Sequence, residues 1–473
     1  MQYARHIFLI GTTQFAKSYF RIPPLRLCNP CLIKPICNVF VCDEQVAKSI
    51  IARVYSIRRF FFPPTVPGEY RPNFIHLYLD IGFFGILSGS SINFLSIYAT
   101  RLGATGFQIG LLSSMAASVS LMLAIPAGRW LETQNINKAV FRASAWYRLG
   151  YLLWVPLPWL FNEQAQIWAL IVIALLMAIP LTPLSVGFNA LFAASVPPQW
   201  RAHVAGVRNV AFAVAFMFSS LGSGYLLEHL PFPIGYQIIF GIGFIGAAMS
   251  SLQIYLIKPL QATASTLPPR PQPASVKKAL SPRQQLQTAI RFDIWKTPYR
   301  NTLLVFLGFH LAQYLAMPIF PLFQVRQLNL TDDQIGIGTA LFYLAVLLGS
   351  TRLNEVVRNF GHQKVTGISV AGLAMYPLLL AFSRNATDFY WTSILGGFNY
   401  ALVIGSYANY LLEKIPIEDR PAHLAWYNVV LNTSILIGSL TGPLISSALG
   451  LVMALILIAL LRFLSGLAIL KWG

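Results

Sequence analysis

Few side chains in this sequence are equipped for proton or anion chemistry, and those few stand in apolar surroundings. Asp80 lies well inside a long hydrophobic stretch. A carboxylate there is costly, so it is read first as functional. Burial makes its charged form expensive, which makes Asp80 the candidate proton carrier, with His76 one helical turn earlier as its modulator. The competing reading is a structural ion pair with Arg148, which lies inside the third apolar stretch. Arg148 is open to three roles: partner of Asp80, ligand of an anionic substrate, or an anchor reaching to the headgroups. Arg462 sits similarly deep in the last stretch and can snorkel along its own stem. His310, Gln313, Tyr314 and Met317 follow the spacing of one helical face. Pro318 and Pro321 come directly after and should interrupt the regular backbone, as in helices that line a cavity. Asn428 and Asn432 form a second pair at helical spacing.

Enzyme chemistry has no comparable support. H-E-x-x-H, G-x-S-x-G and phosphate-loop patterns are absent, and the acids are too scattered for paired-carboxylate catalysis. No catalytic residue and no cofactor are expected. Cys28, Cys31, Cys37 and Cys42 all precede the first apolar stretch. Their first pair looks like half a zinc site, but a closed site joins two such pairs across a longer loop, so no metal is expected. On the cytoplasmic side these thiols stay reduced.

The elements that position these residues are apolar helices. Of the 473 residues, 56% are hydrophobic and 10% charged, with a mean hydropathy of +0.61. A soluble domain carries about 25% charged residues. The apolar residues fall into runs long enough to span hydrocarbon as helices, each closed by a short polar break. The runs are 73–98, 107–129, 140–160, 165–194, 204–229 and 234–257, then 300–324, 333–352, 364–383, 388–412, 423–448 and 451–470. The division between the last two rests on Gly442-Pro443 and on Ala448-Leu449-Gly450. With the N-terminus inside, nearly all of the 34 Lys and Arg fall on the inner side, and only Arg101, Arg326 and Arg384 lie in outer loops. That asymmetry sets the orientation: a multi-pass protein of the cell (inner) membrane with both termini cytoplasmic. Basic surface beside anionic lipid explains the net charge of +19 without a nucleic-acid partner.

The sequence divides into a basic cytoplasmic tail (1–72), a six-helix bundle (73–257), a cytoplasmic linker (258–299) and a second six-helix bundle (300–473). The linker centres on Leu267-Pro-Pro-Arg-Pro-Gln-Pro273, an extended and flexible composition, and Ser281–Trp295 reads as an amphipathic surface helix. The two bundles repeat one another. Leu102-Gly-Ala-Thr105-Gly-Phe-Gln108-Ile-Gly110 after the first span matches Leu328-Asn-Leu-Thr331-Asp-Asp-Gln334-Ile-Gly336 after the seventh, and Lys138 matches Lys364 at the same offset. Asn189, Ala202-His203 and Gly222 match Asn409, Ala422-His423 and Gly442 at a second constant offset. Ordered identities between spans of equal rank imply two parallel halves related by an axis along the membrane normal. Gly82, Gly85 and Gly89 form a small-residue stripe, read as close helix packing.

Over roughly 73–471 this pattern resembles the major facilitator superfamily, in span count, half repeat and long central loop. The family's loop motif after the second helix of each half is reduced here to Gly128, Glu132, Asn135 and Lys138, and in the second half to Arg358, Gly361 and Lys364, with Asn354 in the glycine's place. The proline-glycine signature of antiporters is absent from Ser219–Gly224. The resemblance implies an all-α membrane fold of twelve transmembrane helices in two pseudo-symmetric bundles. It implies a central cavity lined by helices 1, 4, 7 and 10, where Ser88, Ser91, Asn93, Thr182, Ser185, Asn189, Asn399, Tyr400, Ser406 and Tyr407 lie. It also makes the twelfth helix peripheral, which favours snorkelling for Arg462. Arg201, Arg208 and Arg420 are candidates for a cytoplasmic gate, pairing across the halves with Glu132 or Glu418; simple topology-setting charge is the equal alternative.

The expected function is secondary active transport of a small neutral or amphipathic solute by alternating access, coupled to protons through Asp80. Few fixed charges in the cavity favour such a solute, while Arg148 leaves room for a monoanion. The expected partners are membrane lipids, the solute and protons, and the expected state is a monomer. The rival is a transporter-shaped sensor or partner subunit that binds ligand without moving it.

Overall fold

The computed structural model describes residues 63, 66–260, 291–416 and 419–473. The chain divides at Pro64, and the larger unit, Thr65–Gly473, contains every helix discussed below. The four cysteines, the prolines at 268–273 and Glu418 lie outside the described residues. Of the expected surface helix 281–295, only its last five residues are described. They form a turn at Arg291 and the start of a 3-10 helix, Phe292–Lys296, instead of an α-helix.

The described chain is helical almost throughout. The first half holds α1 (Arg71–Arg101), α2 (Gly106–Glu132), α3 (Ile136–Trp154), α4 (Glu163–Ser195), α5 (Arg201–His229) and α6 (Ile234–Leu256). The second holds α7 (Tyr299–Gln327), α8 (Asp332–Phe360), α9 (His362–Phe382), α10 (Ala386–Glu413), α11 (Arg420–Leu449) and α12 (Leu451–Trp472). Ten helices among the described residues are long and apolar enough to cross a membrane. The other two are α3, which carries Lys138, Arg142 and Arg148, and α10, which is rich in amides, hydroxyls and tyrosines.

Local sequence accounts for the helix boundaries. Thr105 and Gln108 close a capping box at the start of α2, and Thr331 with Gln334 repeats it at the start of α8. Asn135, Asn162 and Asn385 cap α3, α4 and α10 by accepting from backbone N–H groups. Gly450, at φ +81°, separates α11 from α12, a conformation that suits glycine. The Gly442-Pro443 pair, expected to share in that break, lies inside α11. In α7 the prolines act as expected. Regular α-helix stops at Ala316, Pro318 precedes a single turn Ile319–Leu322, and a π-helical stretch Phe323–Gln327 follows. A π-helical turn, Ser88–Ile92, also interrupts α1, without a proline.

The packing has the two-fold pattern that the repeat implies. In the first half α1 packs on α5 and α6, α2 on α4, and α3 on α4 and α6. In the second, α7 packs on α11 and α12, α8 on α10, and α9 on α10 and α12. The halves meet through α2 against α11 and α5 against α8, which are equivalent under the same symmetry. The repeated motif explains these last contacts. A Cβ on Gly110 would collide with the Ser439 carbonyl oxygen and Pro443 of α11. A Cβ on Gly336 would stand 2.8 Å from the Ser220 carbonyl oxygen and 3.1 Å from Gly224 of α5. The motif thus caps a helix with its Thr and Gln and admits the opposite half with its Gly. Within the stripe on α1, Gly85 and Gly89 abut the α5 backbone, whereas Gly82 faces open space.

Both interhalf contacts lie at the end that carries the α1–α2 and α7–α8 connections. The larger apolar core is continuous across the halves there, joining Leu102, Ala104 and Ile109 to Leu322, Leu330 and Ile335. A smaller core, around Leu303, Phe306 and Tyr410, belongs to the second half near its other end. Gly110→Ala should destabilise the protein by about 1–3 kcal/mol, the cost of overpacking an unyielding contact. Gly222→Ala, where nothing lies within 4 Å, should be near neutral. Unfolding curves of the purified protein in detergent would check the pair; equal effects would refute the contact's importance.

Candidate functional site

Asp80 is 3% exposed and sits in a cluster built by four helices of the first half. Arg208 of α5 places Nη1 at 3.3 Å from its Oδ2, and Arg148 of α3 places Nη2 at 3.7 Å from its Oδ1. Ser250 of α6 donates its hydroxyl to Oδ1 at 2.5 Å. The arginines are themselves braced: Arg208 donates to the Leu77 carbonyl at 2.9 Å, and Arg148 to Ser251 Oγ at 3.0 Å, which also meets Ser144 Oγ at 2.8 Å. Phe188 lies beneath the Arg208 guanidinium at 4.7 Å and Phe84 beneath that of Arg148 at 6.0 Å. One carboxylate therefore serves two buried cations. Two guanidiniums and a hydroxyl meet on this carboxylate, so this arrangement is an ion-pair node that ties α1, α3, α5 and α6 together. His76 faces elsewhere, with Nδ1 at 2.8 Å from Gln253 Oε1. The cross-half gate role expected of Arg208 is overturned, because its guanidinium is bound within its own half.

A second ionic group joins the halves at their closed end. Arg101, at the end of α1, donates to Asp332 Oδ1 from Nε at 3.0 Å and Nη2 at 2.8 Å, and to the Leu330 carbonyl at 2.8 Å. Tyr236 of α6 donates to Asp332 Oδ2 at 2.7 Å. Arg326, at the end of α7, reciprocates by donating to the Ala104 carbonyl at 2.6 Å. Two of the three arginines expected in outer loops, Arg101 and Arg326, are thus interhalf clamps. Asp332 and Tyr236 do not stand out in the sequence, because Asp332 lies at a helix start rather than deep in a span and Tyr236 is one tyrosine among many. The available signal was Asp332 inside the repeated capping motif, opposite an isolated arginine.

Between these features lies a cavity of about 310 Å³. Asn93 of α1 and Phe216 of α5 reach it from the first half; Gln313 and Phe320 of α7, Tyr343 of α8, Tyr376 of α9, Tyr400 of α10 and Arg462 of α12 reach it from the second. Phe216 and Tyr343 stack across the halves at 4.0 Å. Asn93 also donates to Ser220 Oγ at 3.4 Å. Arg462 overturns the snorkelling expectation. It is 1% exposed, its Nε and Nη2 donate to the Ala312 and Gln313 carbonyls at 3.4 and 3.3 Å, and Phe320 lies under its guanidinium at 5.8 Å. The α12 helix packs on α7 and α9, which turns this position toward the bundle rather than the lipid.

The other expected cavity residues lie apart from this space. Ser88 is buried in the π turn of α1. His310 is buried, with Nε2 at 3.0 Å from the Tyr427 hydroxyl, in an aromatic group with Phe306, Phe309, Tyr314 and Tyr407. Asn189 is exposed and Asn399 half-buried, and both donate back to carbonyls of their own helices, those of Ser185 and Leu395. Asn432 donates to the backbone carbonyl of Asn428, so that pair is local as well.

The gate candidates have mostly local roles. Arg201 donates to the Ala193 and Val196 carbonyls at 2.8 and 3.1 Å, capping the end of α4. Gly361, at φ +79°, makes the turn between α8 and α9. Gly128 has open space around it, and Glu132, Lys138, Arg358, Lys364 and Arg420 are exposed. At this end Arg291 bridges Asp293 and Asp419, and the guanidinium holds the Asp293 carboxyl below the usual carboxylate range. Trp426 donates its ring N–H to the Arg291 carbonyl, which fastens the described end of the linker to α11.

The family model described as Major Facilitator Superfamily matches residues 79–327 and 302–473. The chain belongs to that superfamily. The cis,cis-muconate transport protein of Acinetobacter baylyi is 21% identical over 258 residues, covering 52% of this chain and 58% of that one. Multidrug resistance protein 2 of Bacillus subtilis is 24% identical over 146 residues, covering 31% of this chain and 35% of the relative. The chain thus spans less than two thirds of the length of either. Among solved structures, a D-xylose-proton symporter aligns with a TM-score of 0.65 at 13% identity, over 85% of this chain and 97% of the other. The nucleoside transporter NupG aligns with a TM-score of 0.61 at 11% identity, over 84% and 98% of the two chains. At such identity the likeness is one of fold. This member of the superfamily is a multi-pass membrane protein with two pseudo-symmetric helix bundles.

Asp80→Asn should destabilise this protein by roughly 3–5 kcal/mol, because both arginines lose their counter-charge. Adding Arg208→Gln should return part of that loss. Thermal unfolding in detergent checks the cycle; strict additivity of the two losses would dissolve the proposed node.

Proposed function

We propose that this protein carries a small amphipathic solute across the inner membrane by alternating access, as a monomer with both termini cytoplasmic. The solute would occupy the cavity between α1 and α5 of the first half and α7 to α10 and α12 of the second. The observation that carries the reading is the combination of that cavity with an interhalf seal concentrated at one end. Gly110, Gly336, the Arg101–Asp332–Tyr236 group and Arg326 all contribute to the seal. By the charge asymmetry this end faces outward, so the conformation is closed to the outside. Exchange would then require these contacts to part while the other end closes, a rocking of one bundle against the other about the cavity. The xylose-proton symporter and the muconate transport protein support solute transport as the general task.

The geometry favours the structural reading of Asp80 over the proton-carrier reading. Protonation would strip the counter-charge from Arg148 and Arg208 together, and both are buried. Parting them would also require α1 to leave α5, against which Gly85 and Gly89 are closely packed. Proton coupling through Asp80 would show as pH-driven uptake in proteoliposomes that Asp80→Asn abolishes. The ion-pair reading expects the Asp80→Asn, Arg208→Gln protein to keep whatever proton dependence the wild type has.

The seal can be tested without knowing the solute. Thr339 borders the cavity on α8. In a protein whose four cysteines are replaced by serine, Thr339→Cys should react slowly with an impermeant maleimide added outside. Asp332→Asn should speed that reaction several-fold by releasing Arg101 and Tyr236. Labelling that is fast from the start, or unchanged by Asp332→Asn, would contradict the proposed closed end.

A further inference from the structure

We infer that the central cavity is an anion site for a small organic carboxylate on a flat apolar or aromatic body, with Arg462 as its charge partner. This deepens the transport reading and rests on it for its purpose. The remaining deeply buried arginines have counter-ions: Arg148 and Arg208 share Asp80, and partly buried Arg101 has Asp332. Arg462 differs. It is 1% exposed, and among the described residues no carboxylate stands within ion-pair distance of it. Its carbonyl contacts at 3.4 and 3.3 Å are long beside the roughly 2.7–2.9 Å of charge-assisted bonds. Those carbonyls belong to the last turn of regular helix before the Pro318 break, where the helix dipole supplies only about half a negative charge. A buried guanidinium compensated this weakly carries a large desolvation cost, which a ligand carboxylate would offset with bidentate geometry.

The walls specify the rest of the ligand. Phe320 meets Tyr376 at 5.0 Å, Tyr376 meets Phe342 at 6.0 Å, and Phe342 meets Tyr400 at 5.4 Å. These four rings line the cavity that Arg462 borders, a surface suited to a planar body. Gln313, on the same cavity, buries its Oε1 without any hydrogen-bond partner. An unsatisfied acceptor beside the cation is a place for a hydroxyl or N–H donor of the ligand. The volume of about 310 Å³ admits one small molecule.

The test uses the purified full-length protein in detergent with benzoate and benzamide, which share a ring and differ in charge. Calorimetry should find benzoate binding wild type at least ten-fold more tightly than benzamide. Arg462→Gln should lower benzoate affinity at least ten-fold and leave benzamide unchanged. Equal binding of the two probes to wild type, no binding of benzoate, or benzoate binding that survives Arg462→Gln would overturn the inference. The wild-type comparison decides even where Arg462→Gln fails to fold. Tyr400→Trp, which narrows the cavity, should also weaken benzoate, and unchanged affinity would overturn the assignment to this cavity. Uptake of both probes into proteoliposomes separates the two readings. Benzoate bound at Arg462 but never taken up would uphold the anion site and refute transport of this probe class. Uptake of benzamide by a protein that does not bind benzoate would uphold transport and refute the anion site.

Discussion

A charge held within hydrocarbon must be compensated by the protein, because water is not there to do it. Three arrangements in this molecule answer that constraint in different ways. In the first half, one carboxylate serves two guanidiniums, so Asp80, Arg148 and Arg208 bind four helices into a unit with excess positive charge. At the closed end, Arg101 and Asp332 pair across the halves with Tyr236 satisfying the second carboxylate oxygen. In the second half, Arg462 has only carbonyl oxygens and an aromatic ring beside it. The first arrangement resists change. The second must break for the halves to part at that end. The third leaves the most electrostatic demand unmet, and it borders the cavity.

The two-fold pattern of the bundle gives these groups their relation to one another. The main helix contacts of the first half have their equivalents in the second, and the two largest interhalf contacts are equivalents of each other. The charges do not follow the symmetry. The ionic node of the first half has no counterpart among the described residues of the second, where His310 and Tyr427 occupy an aromatic core instead. One half is cross-braced by ion pairs, and the other is packed by aromatic rings that also line the cavity. The halves are two differently built bodies. The repeated glycines allow them to approach closely, and the clamps of Arg101 and Arg326 hold them there.

The cavity owes its asymmetry to the same difference. Most of its wall comes from α7 to α10 and α12, with α1 and α5 contributing from the other half. The interrupted backbone of α7 at Pro318 lets Phe320 and Gln324 enter the wall below Gln313. This placement moves the polar interest of the site away from α4, whose Asn189 is exposed and satisfied by its own helix. It brings α12 into the site, although the resemblance to the superfamily implies a peripheral twelfth helix.

Much of the architecture is legible in the chain alone. Hydropathy determines that the runs are membrane helices, because a backbone in lipid has to satisfy itself. The capping residues Thr105, Gln108, Thr331 and Gln334 and the positive-φ Gly450 fix boundaries through contacts only a few residues long. The repeat announces two related bundles because both halves need the same cap and the same close approach. Partnerships across the fold could not be read this way. The pairing of Asp80 with Arg208 joins residues on α1 and α5, and nothing local distinguishes Arg208 from a topology-setting charge. Likewise, only the rotation of α12 about its axis decides whether Arg462 faces lipid or the bundle, and packing against α7 and α9 sets that rotation. Sequence fixes which groups must be compensated. Tertiary structure alone decides which group compensates which, because that depends on the facing of helices far apart in the chain.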